Sequence, residues 1–178
     1  MGYSLSYIAV KNKSKDEILK HIALQGTGEF EEYFETNNEA YGADLRNGWF
    51  LVVANGFESE LFEDPILMQL SQGAEVLTCM VEEHCMHSVA TGWTSGKKIW
   101  SVYHAGDGAD SQTNLTIDGK LPVEFEKIKK QMFSEQAESD GVDYIFDIPV
   151  ELFSKATGFR YDRVQEELGE APFEILES

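Results

Sequence analysis

Cys85, His87 and His104 are the residues of this chain whose types and spacing can do chemistry. One thiolate and two imidazoles make a zinc-ligand set. They lie in the stretch EVLTCMVEEHCMHSVATGWTSGKKIWSVYHAGDG, residues 75–108, which also holds both cysteines, three of the four histidines and two of the three tryptophans. If Ser95 and Gly96 form a two-residue turn between two long strands, Thr94 stands opposite Lys97 and His87 opposite His104. Cys85 then lies two residues from His87 on the same face. Three protein ligands would leave a fourth position for water or for an acid such as Glu83. Water on such a metal becomes a nucleophile near neutral pH. This is the enzyme reading, a zinc-dependent hydrolase or a metal-binding module.

The same residues also allow a plainer account. No HExxH or CxxC spacing accompanies them, and a one-residue slip in register would send the two histidines to opposite faces. In the plainer account Cys85 packs in the core and the histidines are cross-strand neighbours. A Cys85 nucleophile is disfavoured, because His84 would face the other side of the strand and Glu82 and Glu83 oppose a thiolate. On a strand those two glutamates also diverge, so they are no acid–base pair. Gly106-Asp107-Gly108-Ala109-Asp110 lacks the acid spacing of a calcium loop and the third glycine of a dinucleotide loop. Trp93 and Trp100, with Tyr103 nearby, would join the histidine face as an aromatic surface for a ligand or partner, or pack beneath a helix. No Ser-His-Asp set or phosphate loop is present.

These side chains must be positioned by the surrounding elements. Residues 3–10 read as a strand. Ser14 and Glu17 form a capping box for a helix over 14–24, with Gly26 and Gly28 beyond its end. Residues 29–40 fit helix, loop or strand equally. Asn47-Gly48 predicts a hairpin over 41–55, its second strand apolar from Trp49 to Ala54 and covered on both faces. Asp64-Pro65 opens a helix over 65–72. After the 75–104 hairpin come a short strand at 115–117, a helix over 122–137, a strand at 143–148 and a helix over 149–157. The tail carries Phe173, Ile175 and Leu176 for docking. Hairpins dominate this order. It predicts a single α+β domain over 1–178, with a mainly antiparallel sheet and helices packed on one face.

Charge bounds the partners. Fourteen basic residues against thirty-two acidic ones leave −18. Such a surface repels nucleic-acid phosphates and anionic lipid, and it attracts basic proteins. No apolar run approaches the ~20 residues of a membrane helix. The opening MGYSLSYIAVKNK has no basic-then-apolar leader pattern, and its Gly2 fits myristoylation only superficially. Cys79 and Cys85 on one strand would lie about 20 Å apart, which excludes a disulfide and suits a reducing cytoplasm. The favoured expectation is a cytoplasmic, non-catalytic protein without a cofactor. It would bind a basic protein partner, most concretely as an immunity-type inhibitor. Acidic clusters at residues 29–35 and 58–64 would steer the partner. Tyr33, Phe34 and Phe57, beside Glu58 and Glu60, would supply the contact.

Overall fold

The structure, a computed structural model, describes residues 2–34, 37–107, 114–163 and 165–178. Its strands are β1 (Ser4–Lys11), β2 (Gln25–Glu31), β3 (Ala40–Asp44), β4 (Trp49–Asn55), β5 (Glu75–Glu82), β6 (His87–Thr94), β7 (Lys97–His104), β8 (Thr116–Gly119) and β9 (Phe173–Glu177). The helices are α1 (Lys15–His21), α2 (Asp64–Leu70), α3 (Phe125–Glu138) and α4 (Asp147–Thr157). The strands join into one nine-stranded sheet in the order β2-β9-β3-β4-β1-β5-β6-β7-β8. Each neighbouring pair is antiparallel. This is a single α+β domain built on an antiparallel sheet, as the hairpin-rich order predicts.

Period-two alternation along β1 decides the layering. Leu5, Tyr7 and Ala9 face α4, where they meet Val150, Phe153 and Phe159. Ile8 and Val10 point the other way, onto Ile18, Leu19, Leu67 and Leu70 of α1 and α2. Helices therefore cover both faces, which corrects the one-face expectation. β1 and β4 are apolar on both faces, so they could not have kept one face in water.

Local chemistry sets most element ends. Ser14 caps α1: its hydroxyl accepts the Glu17 amide at 3.3 Å, and the Glu17 carboxylate accepts the Ser14 amide at 3.1 Å. These Ser14 bonds hold the Glu17 carboxyl below its ordinary pKa. Asn47 and Gly48 take positive φ, 70° and 79°, between β3 and β4. α1 ends at His21, short of the expected 24, and Gln25 already belongs to β2. Gly26 is a strand residue there, paired with Leu176, and the position suits glycine because a Cβ would collide with the Glu174 carboxylate. That carboxylate accepts the Gly28 amide at 3.2 Å where the β2–β9 register is interrupted.

Two expectations fail for tertiary reasons. Residues 143–148 form no strand. The Asp143 carboxylate caps the amides of Ile145 and Phe146 at 3.1 and 3.2 Å and turns the chain into α4. The Gln136 side chain clamps the same turn, donating to the Val142 carbonyl and accepting the Tyr144 amide. The acidic tail, conversely, supplies β9, an interior strand between β2 and β3. Phe173 and Leu176 anchor it on opposite faces of the sheet. Among the described residues no helix is long and apolar enough to cross a membrane.

Candidate functional site

The histidine and cysteine residues are not brought together. Ser95 and Gly96 form the expected turn, with φ of 50° and 72°. Thr94 pairs with Lys97 and Trp93 with Lys98, also as expected. The register then shifts by one, so that Gly92 meets Trp100 and Ser88, not His87, meets His104. Gly92 permits this shift. A side chain there would overlap the Trp100 indole, which instead lies over the bare backbone. Beyond the bulge every side chain changes face. Trp93 now packs on the α1–α2 side with Lys98 Nζ 5.0 Å from its ring centroid, and Trp100 packs beneath α3. The expected 75–104 hairpin is also three strands, because residues 83–86 turn the chain, with Met86 at φ 55°.

His104 is fully buried, its Nδ1 2.6 Å from the Asn114 carbonyl oxygen and its Nε2 2.7 Å from Asp143 Oδ2. His87 lies across the sheet. Its Nε2 is 3.0 Å from Asp107 Oδ1, and its ring packs against Phe57 and Tyr103. Cys85 sits on the turn. The zinc set Cys85, His87 and His104 is thus corrected: the three do not share a face. Among the described residues no group of three or more His, Cys, Asp or Glu side chains can hold a metal. The glycine–aspartate loop beyond Asp107 falls largely on residues 108–113, outside the described residues.

The two thiols differ sharply. Cys79 is buried in the sheet and Cys85 is exposed, which corrects the expectation that Cys85 packs in the core. Burial pushes the Cys79 pKa from 9.0 up to about 12. The native protein at pH 8 should therefore react with a thiol reagent once per chain, and twice in denaturant. A Cys85→Ser variant should show no fast reaction. The raised value also has a stability sign. The folded state keeps its proton while the unfolded thiol ionises, so this contribution is intact below about pH 9 and is lost as pH rises toward about 12. Two fast native thiols would contradict the assignment.

A different site emerges around Tyr33 and Phe34, where β2, β9 and the segment after α4 converge. A cleft of about 430 Å³ opens there. Buried Tyr161 and Phe173 contribute to its lining, as do the half-exposed rings of Tyr3 and Tyr33. Phe34 leans edge-on against Phe173, centroids 5.2 Å apart, and Tyr3 against Tyr161 at 5.3 Å. Glu32, Asp162, Glu166 and Glu170 also border the cleft. Its one lining arginine, Arg163, reaches Glu151 at 3.4 Å.

Glu83, on the turn after β5, fixes two walls at once. One carboxylate oxygen accepts the Tyr161 hydroxyl at 2.7 Å, and the other accepts the Tyr3 amide at 2.8 Å. Burial and then this hydrogen bond raise the Tyr161 pKa. A hydrogen bond to Glu32 raises the Tyr33 pKa, so that phenol also stays neutral. Among the described residues that line the cleft there is no Ser, Cys, His or Lys. The arrangement offers aromatic faces beside carboxylates, which attract an organic cation.

Of the cleft's lining, the residue types along the chain single out Tyr33 and Phe34 as candidate contacts, but not Tyr3, Tyr161 or Phe173, nor Glu83, which braces two of them. These come from the position just before β1, the turn after β5 and the C-terminal stretch, and no local spacing links them. Phe57, Glu58 and Glu60 do not line the cleft. They lie beyond β4, beside the start of β1, where the Phe57 amide donates to Ser4 Oγ at 3.1 Å. Phe57 is half-buried against His87, and Glu58 and Glu60 are exposed. Glu35 lies outside the described residues. Comparison with known family models, curated proteins and solved structures finds no match for the chain.

Proposed function

We propose that this protein is a non-catalytic binding protein that captures a basic protein, most concretely as an immunity-type inhibitor. The cleft carries this reading: aromatic rings exposed beside carboxylates on a chain of charge −18. Each half of that chemistry has a distinct job. Dispersed negative charge accelerates encounter with a basic surface and sets its orientation. Exposed tyrosines then supply contact area that loses little side-chain entropy when it is covered. Glu58 and Glu60, with the half-buried Phe57 beside them, add exposed acids outside the cleft.

Capture from native host lysate at low salt tests the proposal, provided the captured chain is characterised. The expected partner is a basic protein, retained at about 50 mM salt and weakened at least tenfold by about 300 mM, because screening shortens the reach of the field. A Glu32→Lys, Glu166→Lys, Glu170→Lys triple variant should lose it. Retention of no basic protein, or retention insensitive to both salt and the triple variant, rules the proposal out.

A further inference from the structure

We infer that the cleft between Tyr3, Tyr33 and Tyr161 receives a single arginine side chain of the partner. The inference rests on the binding reading above and adds the identity of the group bound. Three observations converge on a guanidinium. The space, about 430 Å³, has room for a long side chain but not for a folded element. Its aromatic lining presents π faces, of which Tyr3 and Tyr33 remain 43% and 51% exposed. Glu32, Glu166 and Glu170 border the same cleft, whereas the Asp162 carboxylate there is already held by Arg160 and Arg163 is engaged with Glu151.

Charge complementarity alone would admit lysine as well. The mixture of flat rings and carboxylates favours arginine. Its planar, weakly hydrated fork can stack on an aromatic face while its edge donates to a carboxylate, whereas an ammonium is a compact, strongly hydrated point charge. The walls are also set in advance. Glu83 ties the Tyr161 hydroxyl and the Tyr3 amide, so less ordering is left to be done on binding. Both edges of the sheet are poorer docking places. β2 is interrupted between Gly26 and Phe30, and β8 is only four residues long.

End-blocked pentapeptides Gly-Gly-X-Gly-Gly, with X as Arg, Lys or Glu, test the inference by two-dimensional NMR titration of the whole protein. The Arg peptide should shift resonances of Tyr3, Tyr33 and Tyr161 saturably, with Kd in the millimolar range, roughly. The Lys peptide should bind several-fold more weakly and the Glu peptide not at all. Tyr33→Ala should weaken the Arg peptide by about tenfold and Tyr33→Phe should restore it, because the ring face and not the hydroxyl carries the contact. Val123→Ser, at a 91% exposed position outside the cleft, should change nothing. Unaltered amide dispersion identifies the variants that have kept the fold. Equal Arg and Lys affinities, or an Arg peptide insensitive to Tyr33→Ala, overturn the inference. If either occurs while a basic protein is still captured in a salt-dependent way, the arginine pocket alone falls. If capture fails as well, both readings fall.

Discussion

Arg160→Leu should destabilise the protein by about 3–5 kcal/mol. Arg160 is only 7% exposed and holds three carboxylates at once. Its Nε donates to Asp162 at 2.7 Å, one terminal nitrogen donates to Asp147 at 2.6 Å, and the other donates to Glu151. Burial alone would lower the arginine's pKa, but the hydrogen bonds and charges of Asp162 and Asp147 raise it overall. Leucine would fill some of the volume and leave these acids facing one another, with only the exposed Arg163, 3.4 Å from Glu151, as a nearby cation. Arg160→Lys should recover only part of the loss, since an ammonium cannot reproduce a fork with three directions.

The acids also give this variant a pH signature. Burial already raises the Asp147 pKa in the native protein, against the opposing pull of Arg160. Without the guanidinium that value rises further. A carboxyl whose folded pKa is raised contributes fully below its unfolded pKa, and the contribution is lost as pH rises through the folded value. The stability deficit of Arg160→Leu should therefore be smaller near pH 5 than near pH 8. Urea unfolding at the two pH values measures it. A loss below about 1 kcal/mol, or a deficit that grows in acid, would show that Arg160 does not neutralise this cluster.

His104→Leu should cost about 3 kcal/mol. The ring is fully buried between the Asn114 carbonyl and the Asp143 carboxylate, so an apolar replacement strands both acceptors. Asp143 cannot simply turn away, because its other oxygen caps the Ile145 and Phe146 amides that start α4. Asp143→Asn in the His104→Leu background should return about 1 kcal/mol, since it removes the stranded charge and can keep the cap. The measurement is a double-mutant cycle by urea unfolding, with zinc content followed in parallel. Zinc copurifying with the wild type and lost in His104→Leu would reopen the metal reading. A near-additive cycle would mean that the His104–Asp143 pair is not energetically coupled.

Several elements were legible because one short window contains all that decides them. The Ser14–Glu17 capping box, the positive-φ Asn47-Gly48 and Ser95-Gly96 turns, and the two-sided apolar run of β4 depend on residues within a few positions. The hairpin-rich order was enough for the α+β class. The failures share the opposite property. β9 is a strand only because β2 and β3 leave a gap that Phe173 and Leu176 can fill from both faces. Residues 143–148 have strand-like composition, but Gln136 and Asp143 satisfy their amides by turning the chain.

The zinc set shows the same limit at a finer scale. The turn falls at Ser95-Gly96, and the first two pairs of β6 and β7 follow the expected register. A single bulge, permitted by Gly92 and filled by Trp100, then sent His87 and His104 to opposite faces. Side-chain facing has a period of two, so an error of one residue is total. By itself, then, the sequence determined the class of fold, the turns and caps, and the excess of negative charge, since each follows from composition or from near neighbours. Only the tertiary structure decided which face each histidine takes, that the tail is an interior strand, and that Tyr3, Tyr33, Tyr161 and Phe173 share one cleft. Those outcomes depend on packing between segments far apart in the chain, where a bulge or an unfilled gap in the sheet outweighs local preference.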